Sequence, residues 1–433
     1  MPAAGARNGD ERPSVAVLPW GDLFADWLDP LGVGIDDLPD FTGSWMFAWA
    51  DALAAVNVRT VIVAVSGRVE RPVELEHSVS GATIHLLPTT WVHRRVEPRM
   101  LHGSLAGRRD PRSVGGAVLA HAAPYLATPP LRLAAIVRRE GCAAIVCQEY
   151  ETPRFDLTVT LGALLRRPSF ATFQGGDYQA SRLERLTRPL AIRGVRALIV
   201  PSSSERARVR DTYRVPEGKL ARIFNPIDAD FWQRQPRQEA RRALDLPDHA
   251  DVVAWHGQLH PRKGLDVLLR AWADVRASRP GRDLLLVLMG AGEQSIAELT
   301  ASHAVDGVRF VAEWVRDRER IRTLLSAADV YAFPSRHEGF PVAPIEAMAC
   351  GLPVVATAAQ GVPDIFENGE TDGGFVVPID DTAAFAQRLG GLLDDRELRE
   401  TVGRAARARV QTAFALEPVG RALRALLIGP TTS

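Results

Sequence analysis

Lysine is nearly missing from this chain: of its 52 basic residues only Lys219 and Lys263 are lysines, and all the others are arginines. Such a skew reflects genome base composition, and it makes the few lysines worth following. Cysteine is scarce too. Cys142, Cys147 and Cys350 form no CxxC pair and no cluster with metal-ligand spacing, which argues against structural disulfides and against a bound metal. No apolar run reaches the roughly 18 residues that a membrane-spanning helix needs. The first residues, MPAAGARNGDERPS, carry charges and lack an apolar centre, so residues 1–13 are expected to be disordered and not a secretory leader. Neither sign of charge dominates, with 52 acidic residues against 52 basic ones. The chain as a whole is therefore not built to bind nucleic acid. These absences leave a cytoplasmic protein as the expectation, and a length of 433 residues suggests two or three domains.

What is present is alternation. Short β-branched runs occur near residues 14–18, 60–65, 82–87, 143–148, 170–174, 197–200 and 221–224. A second series lies near 252–256, 284–289, 308–312, 330–333, 353–357 and 375–377. Most are continuously apolar, as parallel strands buried on both faces are. Helix-like stretches such as 264–278 and 317–328 separate them. The repeated βαβ pattern predicts an α/β chain of two doubly wound, Rossmann-like domains facing across a cleft. Asn225–Arg237, with its prolines and polar residues, marks the boundary. The expected domains are 1–225 and 226–433, with a terminal helix at about 415–428 packing back on the first. In such sheets ligands bind beyond the carboxyl ends of the strands.

The densest signal is the stretch from Pro334 to Thr357, PSRHEGFPVAPIEAMACGLPVVAT. A strand ends near Phe333, a loop with Gly339 follows, and Phe340, Pro341 and Pro344 lead into a helix that Gly351 closes. Free N–H groups at that helix start would suit a phosphate. Glu338 and Glu346 stand eight residues apart. Glu338, in the loop, could accept hydrogen bonds from sugar hydroxyls. Glu346, one turn into the helix, could grip the paired hydroxyls of a ribose, because a carboxylate offers two acceptor oxygens and no donor. The plainer reading makes both of them solvated charges favoured by the helix dipole.

This spacing resembles the E-x7-E signature of the family 4 glycosyltransferases (glycosyl transferases group 1), which are retaining enzymes of GT-B architecture. The stretch WHGQLHPRKG from Trp255 to Gly264 is similar to that family's G-R-L-x-x-x-K-G loop. The resemblance places Lys263 in the slot of the lysine that holds the donor diphosphate, and Gly257 in that of the glycine. Gln258 stands in the arginine slot, with Arg262 or His260 left to compensate. A fixed cation there stabilises the leaving diphosphate most in the transition state. Smaller matches are the turn from Met289 to Gly292 with Gly290, and residues 312–315, where Trp314 and Val315 would meet the nucleotide base. The likeness implies donor contacts from Gly257, Gln258, Arg262, Lys263, Gly290, Trp314, Val315, Glu338, Gly339, Phe340, Pro341 and Glu346.

The first half matches in outline only. Gly43 and Ser44 precede an apparent helix, and the long stretch 21–42 is either a lid or acceptor wall, or an irregular surface loop. In FATFQGGD, residues 170–177, Gln174 occupies the slot where the family carries a histidine. A glutamine positions groups but takes no proton. Asp177, Glu149 and Glu151 are then candidates for acceptor contact. The catalytic candidates are Glu338, Lys263, Gln174 and Asp177, and those for acceptor binding are Gly43, Ser44, Glu149 and Glu151. Six arginines between Trp91 and Arg112 could meet an anionic acceptor or the inner membrane surface, although a solvated helix and loop is the plainer reading. SSSE at 202–205 reads as a helix cap.

The resemblance implies transfer of a sugar, most often from a UDP-sugar, to a small-molecule or lipid-linked hydroxyl acceptor. The nucleotide sugar is a co-substrate, and no cofactor is expected. Two other readings stay open: a non-catalytic subunit that binds nucleotide sugar, favoured by Gln258 and Gln174, and a related epimerase or pseudo-glycosyltransferase.

Overall fold

A computed structural model describes residues 11–29, 32–42, 45–96, 125–173, 182–292, 306–311 and 317–429. By its internal contacts the chain divides into two units. The first comprises Met1–Val200, Arg206–Ile223 and Val419–Ser433, and the second Pro201–Glu205 and Phe224–Pro418. This division differs from the expected cut after residue 225, with the terminal helix returned to the first domain, in giving Pro201–Glu205 to the second unit.

The first unit is built on strands β1 (Ser14–Leu18), β2 (Arg59–Ser66), β3 (Val73–Glu76), β4 (Thr83–Pro88), β5 (Ala144–Gln148), β6 (Ser169–Thr172), β7 (Ala197–Ile199) and β8 (Leu220–Ala221). They form one sheet in the order β3-β4-β2-β1-β5-β6-β7-β8. Only β3 runs antiparallel to its neighbour. No apolar run announces β3, because its exposure alternates residue by residue along VELE, as suits an edge strand. Side chains along β1 alternate between two cores. Val15 and Val17 join the helix Trp45–Ala54 through Met46, Phe47, Trp49 and Leu53, whereas Ala16 and Leu18 join Leu133 and Val137 of the helix Pro130–Arg139.

The terminal helix Leu416–Leu427 contributes Val419, Leu423 and Leu427 to the first of these cores. Arg424 Nη1 also donates to Val56 O at 3.0 Å. The stretch 21–42, expected as a lid or acceptor wall or as an irregular surface loop, is more ordered than a loop over its described residues. A π-helical turn at Phe24–Leu28 and a 3-10 turn at Leu38–Asp40 bury Phe24, Leu28 and Leu38 in the same core.

The second unit holds β9 (Asp251–His256), β10 (Leu284–Met289), β11 (Val308–Val311), β12 (Val330–Phe333), β13 (Val354–Thr357) and β14 (Gly374–Val377). All are parallel, in the order β11-β10-β9-β12-β13-β14. Along β9, Val252 and Ala254 face Leu324, Leu325 and Met348, while Val253 and Trp255 face Leu268, Leu269, Trp272 and Phe385. The helices Leu265–Ala277, Arg318–Ala327 and Ala343–Ala349 follow β9, β11 and β12 as the βαβ pattern requires. Both units are thus Rossmann-like α/β domains. Among the described residues no helix is long and apolar enough to cross a membrane.

Candidate active site

The order of the second sheet reverses between β9 and β12, since β9 pairs with β10 on one side and β12 on the other. At such a reversal the loops beyond the two strands diverge and leave a crevice for ligands. Here they are residues 257–264, after β9, and 334–342, after β12.

Close backbone approach fixes the first loop. Gly264 has φ +67°, and a Cβ there would lie 2.1 Å from Pro334 O, so the two loops pack with no room for a side chain. Gly290 is under the same constraint from Gly257 O, which a Cβ would approach to 1.9 Å. Between these points Pro261–Lys263 makes a 3-10 turn, capped by His260 Nδ1, which accepts from Arg262 N at 3.1 Å.

Arg336 ties this turn to the second loop. Its N–H donates to Arg262 O at 2.7 Å and its Nη1 to Pro261 O at 2.9 Å. The guanidinium also grips both oxygens of Asp266 at 2.8 Å and reaches Asp380 Oδ1 at 2.6 Å. Such a fork on a carboxylate is geometrically demanding and correspondingly specific. Burial alone would raise the Asp266 carboxyl, but the hydrogen bonds and charge of Arg336 outweigh it and hold the group below its usual range.

The clamp brings the two halves of the sequence signal together. Lys263 Nζ donates to Glu338 Oε1 at 2.7 Å, with both side chains partly open. Glu346 is the fourth residue of the helix Ala343–Ala349 and keeps partial exposure. Its Oε2 lies 3.0 Å from His256 Nε2. A carboxylate only accepts, so that nitrogen carries the proton. On the other side of the ring, His256 Nδ1 lies 3.1 Å from the hydroxyl of the fully buried Tyr331. Glu346 thus enters any ligand contact with one lone pair already occupied.

The other candidates fall out as follows. Gly257 and Gly339 line the two loops, and Gln258 and Arg262 are exposed. Phe340 and Pro341 are buried, and the Phe340 ring stacks on Phe224 with centroids 5.2 Å apart. They can offer a ligand backbone atoms rather than side chains. Trp314, Val315, Gln174, Asp177, Gly43 and Ser44 lie outside the described residues.

Glu149 and Glu151 follow β5 in the first unit, beside the corresponding reversal between β1 and β5. Both are buried, and Glu149 has φ +58°. Glu151 Oε1 accepts from Tyr213 at 2.7 Å and pairs with Arg208 at 3.1 Å. Burial and the Glu151 charge push the Tyr213 hydroxyl well above its usual range. Ser202 Oγ accepts from Glu205 N at 3.3 Å at the start of the helix Ser203–Tyr213, the geometry of a cap.

Sequence reading passed over His256, Tyr331, Arg336 and Asp266. A signal existed for the first: a histidine closing the apolar run VVAW needs a polar partner when buried. Nothing in the linear order linked Asp266, Arg336 and Asp380.

Comparison with known proteins follows the same division. Residues 42–231 match the family model described as Glycosyltransferase Family 4, and residues 250–395 that described as Glycosyl transferases group 1. A protein named D-inositol 3-phosphate glycosyltransferase from Corynebacterium diphtheriae is 32% identical over 241 residues, covering 53% of this chain and 56% of the relative. One from Corynebacterium glutamicum is named GDP-mannose-dependent monoacylated alpha-(1-6)-phosphatidylinositol monomannoside mannosyltransferase. It is 32% identical over 220 residues, covering 49% of this chain and 55% of that protein. The match spans about half the length of these curated relatives.

Among solved structures, sucrose-phosphate synthase from Thermosynechococcus elongatus superposes with a TM-score of 0.63 at 22% identity, over 94% of this chain and 96% of that one. HepE from Anabaena in complex with UDP gives 0.64 at 14% identity, over 94% and 97%. These likenesses speak for the fold. With residues 42–231 and 250–395 both matched by family models, and with relatives of the same kind, the chain belongs to the family 4, group 1 glycosyltransferases.

Proposed function

We propose that this protein transfers a sugar from a nucleoside-diphosphate sugar to a hydroxyl group, with retention of anomeric configuration, and that the donor binds at the β9/β12 reversal. The observation that carries the reading is the Lys263–Glu338 pair at 2.7 Å, with Glu346 on the helix that follows. Lys263 serves the diphosphate, where its charge counts most as the glycosidic bond breaks. Glu338 accepts from sugar hydroxyls and Glu346 from the ribose. The family resemblance implies that the reaction needs no tightly bound metal, with Lys263 as a countercharge to the diphosphate. Retention rests on the family resemblance: the acceptor attacks from the face that the diphosphate leaves, and the leaving oxygen helps take the proton. That route suits a chain with glutamine at position 174.

The donor is taken to be a UDP-sugar. A GDP-sugar is the second reading, supported by the GDP-mannose-dependent relative. For the acceptor, the relatives' names favour a phosphorylated or lipid-linked inositol.

Calorimetric titration with UDP, GDP and ADP tests the site, and proton NMR of the product's anomeric centre tests retention. One nucleotide is expected to bind the wild-type protein and to bind Glu346→Ala much more weakly. Nucleotide binding without any transfer would move the non-catalytic subunit reading to the front, and binding of none of the three would overturn the donor site.

A further inference from the structure

His256 stands where an apolar strand meets the crevice, and it is almost wholly buried. A buried imidazole without partners costs free energy, so its retention needs a reason. Both ring nitrogens are matched: Nε2 to Glu346 Oε2 at 3.0 Å and Nδ1 to Tyr331 Oη at 3.1 Å. The Tyr331 hydroxyl also reaches His256 O, at 3.4 Å.

This wiring is directional. The carboxylate requires a proton on Nε2, so neutral Nδ1 accepts from Tyr331. With a hydrogen on both ring nitrogens, Tyr331 Oη can accept the Nδ1–H hydrogen bond and turn its own hydrogen to His256 O. The Nε2–H bond to Glu346 survives in both states. Among the described residues two titratable groups are in hydrogen-bond contact with the ring. Glu346 faces it from its helix, and Tyr331 from β12, where burial and the charges of Glu346 and Glu338 raise the phenol far above its usual range. Lys263 offsets Glu338.

We propose that His256 is a positioning residue for the sugar donor: backed by Tyr331, it holds Glu346 Oε2 and leaves Oε1 to take a hydroxyl of the nucleotide's ribose. This rests on the donor reading above and assigns His256 and Tyr331 a part in it. A free glutamate on a short helix samples several rotamers, and fixing one before the ligand arrives removes that ordering cost from binding. The effect belongs to donor affinity rather than to the chemical step.

The test uses the full chain with the nucleotide that binds the wild type, and compares His256→Phe, His256→Gln, Tyr331→Phe and Glu346→Ala. His256→Phe should weaken nucleotide binding and raise the donor KM about tenfold, the size of one hydrogen bond to a charged group. Its kcat should stay within about twofold, since uniform binding alone is lost. His256→Gln, whose amide can place an N–H near the Nε2 position, should recover most of that loss. Tyr331→Phe should fall between.

Wild-type affinity in His256→Phe would overturn the proposal, as would a folded His256→Gln that fails as badly. Nitrogen-15 NMR of the ligand-free protein reads the pair directly. The Nε2–H tautomer is expected, becoming mixed in Glu346→Ala, and an Nδ1–H tautomer in the wild type would overturn it. If that tautomer is found but Glu346→Ala binds nucleotide normally, the donor reading has failed, and the positioning role falls with it although the hydrogen-bonded pair stands.

Discussion

The two sheets repeat one another: leaving aside the edge strands β3 and β8, each runs in the doubly wound order, with its first strand beside the point of reversal. Their described carboxylates at that point are nevertheless used differently. In the second sheet Glu338 and Glu346 remain partly open, each with one oxygen engaged by a cation or an imidazole. In the first, Glu151 is buried against Tyr213 and Arg208, and Asp22, just after β1, is spent on backbone N–H groups and the Ser66 hydroxyl. Its oxygens accept from Phe24 N at 2.9 Å, Ser66 Oγ at 2.8 Å and Gly67 N at 2.5 Å. The same topology thus delivers acidic residues to equivalent places, and burial sets how open each remains to solvent.

The comparison breaks most sharply at Lys263. Lys263→Ala should lower kcat/KM by roughly 10²- to 10³-fold, the loss typical of removing one donor to a developing anion, with an unchanged melting temperature. A change within about twofold in a radiolabelled transfer assay would return Lys263 to the plain surface. Glu346→Ala should weaken nucleotide binding roughly 10- to 100-fold, as removal of a charged hydrogen-bond partner does, read by calorimetry.

For the first unit the opposite pattern is expected. Glu151→Ala leaves the partly buried Tyr213 hydroxyl without its acceptor and should cost about 1–2 kcal/mol of stability in denaturant, while nucleotide affinity stays put. A loss of donor affinity instead would dissolve the contrast between the two sheets.

Arg336→Gln tests the clamp, at about 1 kcal/mol for a partly exposed network. Its pH dependence has a definite sign. The folded Asp266 carboxyl is held below its usual range, so its contribution is present above the unfolded value near pH 4 and is lost as pH falls through the folded one. The stability gap between wild type and variant should therefore close below about pH 4; a gap that persists there argues that Arg336 acts through its carbonyl contacts alone. The smallest effect is expected from Gln258→Arg. Restoring the family's arginine at an exposed position should tighten diphosphate binding by at most about fivefold, and less at high salt.

Much of the molecule was legible beforehand because its signals are local. Continuous apolar runs marked nearly every strand, and β3 escaped because an edge strand hides in alternation. Glu338, Glu346 and Lys263 stood out by their spacing within short stretches of sequence. Phe340 shows the limit of such reading: it lies inside the signature, yet its ring belongs to the core with Phe224 and Phe414.

What the sequence determined by itself, then, is the βαβ rhythm, the two Rossmann-like halves and the residues of the E-x7-E and lysine loops, since each depends on neighbours a few positions away. Tertiary structure alone decided which charges meet. His256 and Glu346 are 90 residues apart and Arg336 and Asp266 are 70 apart. Only the register of β9 against β12 brings such pairs within hydrogen-bond reach. Whether a carboxylate ends as a ligand contact or as a satisfied part of the core depends on the partners that packing sets beside it.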